Sequence, residues 1–242
     1  GGATAYWVAE SGAPTESAQA FDQIAMTPKT VGAFSDISRK LLLQSSIDVE
    51  NFVQRDLATT IALAIDLAGL HGTGSSNQPT GIAATSGIGS VVGGTNGAAP
   101  DWDDLVDLET ALATANADVG RMAYITNAKV RGKLKKTAIE SGYPDKIWDV
   151  KAGSTPLNGY QALVSNQVSS ALTKGTSSGV CSAIFFGNWA DLIIGLWGGL
   201  DLMVDPYTGS TSGTVRVVAL QDVDIAVRHA ASFAAMLDAL TS

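Results

Sequence analysis

Residues 46–72 read SIDVENFVQRDLATTIALAIDLAGLHG, and the rest of the chain is attached to what they form. Ser46 is placed as an N-cap, and Asp48 and Glu50 put negative charge in the first turn, where the helix dipole favours it. Apolar residues recur at Val49, Phe52, Val53, Leu57, Ile61, Ala64, Ile65 and Ala68, the i, i+3, i+4 spacing of one helical face. Gly69 is the first interruption, and Gly72-Thr73-Gly74 ends the run. The spacing predicts a helix of about 24 residues, a rod of roughly 36 Å. From Ala58 to Leu70 the sequence is apolar nearly all round, with Thr59, Thr60 and Asp66 the exceptions. That half is expected to lie deep in something and the other half on a surface.

The chain has 242 residues, room for one large domain or two small ones. It is 45% hydrophobic and only 16% charged, a globular composition rich in Ala, Gly, Ser and Thr. A net charge of −8 argues against strong nucleic-acid binding through a basic surface. A single cysteine, Cys181, allows no internal disulfide, which suits assembly in a reducing cytoplasm. Apolar runs fall well short of the ~18 residues of a membrane span, and no signal peptide is visible. The chain starts Gly1-Gly2-Ala3 without Met, so a trimmed or processed N-terminus is expected.

Before the long helix, Tyr6-Trp7-Val8 reads as a short strand and Glu10 to Gln19 as a small polar tip. Phe21 to Met26 and Lys29 to Ser38 read as the returning strand, with Val31, Ala33 and Ile37 on one face and Pro28 at a break. A two-stranded arm of this kind is not stable alone in water and needs its own body or a neighbour to lie on. After the helix, residues 72–100 read as turns with a small hairpin. Asp101 caps a second helix, with Asp104 three residues on and a buried stripe of Trp102, Leu105, Leu108 and Leu112. A strand at Met122–Thr126, a basic helix at Ala128–Thr137 and a strand at Ala162–Ser165 follow. Ile184-Phe185-Phe186 reads as a buried strand, with a turn at Gly187-Asn188. Leu192–Leu196 and Leu200–Val204 read as two strands joined by Trp197-Gly198-Gly199. Thr214 to Arg228 alternates: Val215, Val217, Ala219, Val223, Ile225 and Val227 face one way, and Arg216, Asp222, Asp224 and Arg228 the other. About fourteen residues is long for one strand and predicts a bend or a passage between two subdomains. Ala230 to Leu240 is ambiguous between helix and strand.

Candidate chemistry is sparse. Asp103 and Asp107 share a helix face at i, i+4, which suits acid/base or metal work, but no His accompanies them. A capped, dipole-matched first turn accounts for that acidic group more simply. His71 and His229 are too few for a three-histidine site, and no G-x-S-x-G is present. Cys181 fits a core position better than a nucleophile. Gly72-x-Gly74 and Gly87-x-Gly89 lack the third glycine of a dinucleotide loop. Lys129, Arg131, Lys133, Lys135 and Lys136 fit a solvated helix face.

The order of the pieces carries a resemblance. Trp7-Val8-Ala9-Glu10 is followed by Met26-Thr27-Pro28-Lys29-Thr30-Val31-Gly32-Ala33 and Ile37-Ser38-Arg39-Lys40-Leu41-Leu42. The long helix then runs into Leu70-His71-Gly72-Thr73-Gly74 and Pro79-Thr80-Gly81-Ile82. Later come Leu157-Asn158-Gly159-Tyr160-Gln161-Ala162, Ile184-Phe185-Phe186-Gly187-Asn188-Trp189 and Val223-Asp224-Ile225-Ala226-Val227-Arg228-His229. Nearly the whole chain thus resembles the major capsid proteins of tailed bacteriophages and prophages, which have the α+β Hong Kong 97-type fold.

The resemblance implies a division of labour. Residues 1–40 would be the extended E-loop arm with its lead-in strand, and 41–100 a peripheral P-domain with the spine helix at 46–72. Residues 101–205 would be an axial A-domain with a sheet flanked by helices. Residues 206–242 would return through the P-domain and close on the A-domain. It also implies a structural protein with no enzymatic activity and no cofactor. Such a chain would assemble with copies of itself into pentamers and hexamers of an icosahedral head, enclosing DNA without reading its sequence. It would meet portal, scaffold or decoration proteins, and would reside in the virion and, during assembly, in the host cytoplasm. Trp7, Glu10, Phe21 and Ile24 on the arm are the expected contacts between subunits. Some members cross-link through a lysine at the E-loop tip; this chain has no Lys before Lys29, so no cross-link is expected. The scaffolding segment and N-terminal arm of such proteins are not visible. An encapsulin-type compartment shell is the nearest rival, and a hydrolase built on Asp103 and Asp107 a remote one.

Overall fold

The computed structural model describes residues 5–13, 15–17, 23–44, 49–140, 142, 144–148 and 156–241. Ser46, Asp48 and Phe21 lie outside the described residues. The strands and helices assemble around two sheets that the chain enters and leaves twice.

The smaller sheet has three antiparallel strands in the order β1 (Lys29–Ser38), β9 (Thr214–Val227), β8 (Leu192–Asp205). The ten β1 residues pair with β9 from Lys29↔Val223 to Ser38↔Thr214. A short helix α1 (Arg39–Gln44) leads to the long helix α2 (Val49–His71), which lies across one face of this sheet. Ile37, Leu57, Ile61, Val217 and Ala219 form the buried cluster between them, with Val31 and Ala33 packed alongside. The face expected for β1 is therefore the one that is buried.

α2 itself is buried on one side only. Leu57, Ile61, Gly69 and Leu70 are buried, whereas Phe52, Leu63 and Leu67 are exposed. Within the single chain the Ala58–Leu70 half is thus buried along one stripe, at Ile61, Gly69 and Leu70, and open along another, at Leu63 and Leu67. The sheet covers one stripe of the helix, and among the described residues nothing covers Phe52, Leu63 or Leu67 on the other.

A type I′ hairpin follows α2. Ser76 and Asn77 both have positive φ (53° and 61°), Gln78 N donates to Ser75 O, and Thr73 bridges Thr80. Gly81 N then donates to Gly72 O at 2.9 Å, closing the hairpin onto the helix end.

The larger sheet runs β2 (Gly89–Val91), β10 (Phe233–Leu240), β7 (Ser177–Asn188), β3 (Met122–Thr126), β5 (Tyr160–Val164), β4 (Pro156–Leu157), with β6 (Leu172–Lys174) also pairing with β7. β2/β10 and β3/β5 are parallel; the other pairs are antiparallel. Both faces are covered. Tyr124, Ile184, Phe186, Ala234 and Met236 face the helices α3 (Trp102–Thr114) and α4 (Ala128–Leu134). Ala183, Phe185, Phe233 and Ala235 face Leu70 and Ile82 at the far end of α2. The first turn of α3 has the expected capping box, with Asp104 N donating to Asp101 Oδ1 at 3.0 Å and Asp101 N to Asp104 Oδ2 at 3.1 Å. Cys181 is buried in β7.

Several local expectations need correction. Tyr6–Val8 is irregular and exposed, and residues 23–26 are not a strand, so the described part of the arm is not two-stranded. β7 continues through Gly187-Asn188, where a turn was expected, because both residues pair with β3. Leu192–Leu196 and Leu200–Val204 are one strand. Gly198, with φ +79°, sits in a register shift between Trp197 and Asp201 and does not end it. β8 pairs with β9 at the edge of the smaller sheet, with β1 on the other side of β9.

The two sheets are joined by two adjacent crossings, β7 to β8 and β9 to β10. Asp191, 5% exposed, ties them: Arg228 Nε donates to it at 2.8 Å and Asn188 Nδ2 at 3.1 Å. Burial works against its charge, but hydrogen bonds from Ser232, Arg228 and Asn188 hold its carboxyl below the ordinary range.

Candidate subunit interface

The arm is the first part of the surface that the subunit leaves unfinished. Trp7 has its whole side chain in solvent (105%), and Tyr6, Val8 and Ile24 are also exposed. Glu10 is exposed beside the Gly12 N to Ala9 O turn. An indole left in water forgoes about 1.5–3 kcal/mol of burial and is atypical unless something covers it.

The arm's root, by contrast, is fixed. Asp224 Oδ2 accepts from Thr27 N and Oδ1 from Lys29 Nζ, both at 2.8 Å, and Ile225 N adds a third bond. Burial penalises this carboxylate, yet the bonds from Lys29, Thr27 and Ile225 hold its pKa below the usual value. Alternation along β9 predicts Asp224 on the outward side. It is 5% exposed because Thr27–Lys29 fold back over it.

A second unfinished surface is the face of the smaller sheet turned away from α2. Phe34, Val218 and Met203 stand abreast across the three strands by register. Phe34 is 63% exposed, with the Arg216 guanidinium 4.5 Å from its ring centroid and paired to Asp36 at 2.7 and 2.8 Å. Leu220 lies over Gly32, where a Cβ would come within 2.7 Å of its Cδ2. Together with Phe52, Leu63 and Leu67 on α2 and Ile194 and Leu196 on β8, these make apolar surface on several sides of one small sheet. Of these, helical periodicity names only Phe52, and periodicity cannot say whether the face it marks is covered within the chain.

The alternative chemistry does not come together. Asp103 and Asp107 are exposed, and burial, the largest effect on Asp104, pushes its carboxyl up within the capping box. Among the described residues no group of three or more His, Cys, Asp or Glu side chains could hold a metal ion. Glu109 instead accepts from Asn158 Nδ2 and Tyr160 OH at 2.7 and 2.9 Å, tying α3 to the Asn158-Gly159 turn between β4 and β5. No helix among the described residues is long and apolar enough to cross a membrane.

A long helix on a three-stranded antiparallel sheet, joined by paired crossings to a larger mixed sheet and carrying an exposed arm, is the Hong Kong 97-type capsid fold. The capsid chain of an empty GTA particle matches with a TM-score of 0.75 at 23% identity, over 98% of this chain and 81% of that one. A SrpI encapsulin chain from Synechococcus elongatus matches more distantly, with a TM-score of 0.64 at 13% identity over 89% of this chain and 75% of that one. The chain belongs to the phage capsid family, whose sequence model, described as "Phage capsid family", matches residues 1–237. The major capsid protein of Halomonas phage phiHAP-1 is 34% identical over 228 residues, which is 94% of this chain. The chain spans only 35% of that relative's length.

Proposed function

We propose that this chain is the shell-forming part of a phage major capsid protein, and that its chemistry is surface complementarity between copies and not catalysis. The fully exposed Trp7, on an arm whose root is pinned by Asp224, is the observation that carries this reading. The arm lies over a neighbouring subunit, with Trp7, Glu10, Phe21 and Ile24 as its contacts. The smaller sheet with α2 is the peripheral domain, and the larger sheet with α3 and α4 is the axial domain that gathers about five-fold and six-fold axes. Pentamers and hexamers close into an icosahedral virion head around DNA, held without base-specific contacts in keeping with the net charge of −8. Portal, scaffold and decoration proteins are the expected further partners. An arm without lysine implies a shell held by non-covalent contacts.

The test is electron microscopy of the full-length protein expressed in a bacterium. Closed icosahedral particles with the arm of one subunit over the next are the expected result. Monodisperse monomers at high concentration, with any scaffold protein supplied, would overturn the reading. Particles enclosing a protein cargo and no DNA in the native source would favour the compartment alternative.

A further inference from the structure

α2 meets the larger sheet at its last residue, His71, and the geometry there is that of a neutral imidazole. Ser169 N donates to His71 Nε2 at 2.9 Å, so Nε2 is an acceptor and the ring proton sits on Nδ1. The ring edge packs on Phe185 of β7, with centroids 5.3 Å apart. Ser169 is fixed to the sheet in turn: its carbonyl accepts from Ala183 N at 3.0 Å and Asn127 Nδ2 at 3.1 Å. One hydrogen bond therefore couples the end of the long helix to the central strands of the other sheet.

We propose that His71 is a pH-sensitive latch between the long helix and the larger sheet, closed when the ring is neutral and loosened when it is protonated. Protonation puts a hydrogen on Nε2, which then points donor against donor at Ser169 N–H. It also places a charge among groups that carry none. The 165–170 segment, β7 and the 72–81 hairpin contain no ionisable carboxylate, amine or guanidinium. The nearest charge on α2 itself is Asp66, five positions back and exposed. The helix C-terminus favours a cation, but burial outweighs it and lowers the pKa of His71 below the ordinary 6.5.

The direction follows from linkage. The closed joint has the lower pKa, so the opened joint binds more protons as pH falls below 6.5. Closure is complete at neutral pH and weakens through mild acid until the closed-state pKa is passed. Leu70, Val168 and Phe185 still pack across the joint. Acid thus loosens the joint without unfolding either sheet.

The experiment uses the full chain in its unassembled form. Hydrogen-exchange mass spectrometry follows a peptide spanning residues 166–172 between pH 7.5 and 5.5. Its protection factor is expected to fall by up to about tenfold per pH unit below 6.5, where one proton is linked to opening. His71→Gln keeps an acceptor for Ser169 N–H and cannot titrate, and is expected to abolish the pH dependence. An equal fall in His71→Gln, or a flat profile in the unsubstituted chain, overturns the proposal. A second readout follows the imidazole resonances of the two histidines, His71 and His229, with the signal missing in His71→Gln assigned to His71. A His71 midpoint at or above 6.5 likewise overturns it, and a midpoint below supports it.

Discussion

Ile61 and Leu63 sit two positions apart on α2, one on its covered side and one on its uncovered side. Ile61 is 3% exposed and packs with Leu57, Ile37, Val217 and Ala219; Leu63 is 44% exposed on the uncovered side. Ile61→Ala removes three carbons, a transfer loss of about 2.4 kcal/mol at ~0.8 kcal/mol per buried carbon. The void between the helix and β9 adds to that, placing the total at about 3–4 kcal/mol, within the range for such truncations. A domain of this kind has only ~5–15 kcal/mol in hand. With a urea slope of about 3 kcal/mol/M the midpoint falls by roughly 1 M. Leu63→Ala is expected to move it by less than ~0.3 M, because its side chain loses little contact within the chain. The assay is urea denaturation of unassembled subunits by circular dichroism, paired with particle yield by sedimentation. The expected pattern is crossed: Ile61→Ala lowers the midpoint, while Leu63→Ala leaves it and lowers particle yield. Equal midpoint shifts would show that both sides of the helix are core. Unchanged yield in Leu63→Ala would remove the uncovered side from the assembly surface.

Ile61→Asp, which buries an unpaired carboxylate at the same place, is expected to prevent cooperative folding, as no sigmoidal melt would report. Deleting Glu10 to Gln19 should leave the subunit's melting curve intact while destabilising assembled particles; unchanged particle stability would deny the arm its role. Denaturing gels of mature particles should show a single monomer band, and ladders that survive boiling and reductant would refute a non-covalent shell. Asp224→Asn should cost about 1–3 kcal/mol by weakening the bond to Lys29. The carboxyl's folded pKa lies below 3.8, so that contribution is fully present above this value and is lost as pH falls through the folded one. The stability difference between wild type and variant should therefore be flat from pH 8 to 5 and shrink only below about 4. A difference that varies across pH 5–8 would mean that another group is responsible.

Much of this architecture is written in local patterns. The α2 spacing, the Asp101/Asp104 box, Met122–Thr126 and the β9 alternation each have one physical cause and were legible from it. β10 was not, because a central strand covered on both faces loses its alternation, and Phe233–Leu240 reads as an Ala-rich run. β8 reads as two strands because Gly198-Gly199 signals a turn as readily as a bulge. Asn158-Gly159, both with positive φ, is a strong short-range hairpin signal and marks the β4–β5 turn. The uncovered surface is the deeper difficulty. Phe52, Leu63 and Leu67 look like core in sequence because burial against a neighbour and burial against oneself select the same side chains. Asp224 and His71 gave no signal, since their roles depend on segments far away in the chain.

That distance has a consequence in time. β1 pairs along its whole length with β9, and the Lys29–Asp224 ion pair joins residues 195 positions apart. A ribosome adding about 5–20 residues per second needs roughly 10–40 s to cover that interval. For that period the newly made β1 has no β9 to pair with, and the arm has no root. The smaller sheet therefore cannot close, nor the root of the arm be fixed, before the ribosome has passed β9, and a chain cut short of Thr214 can form neither.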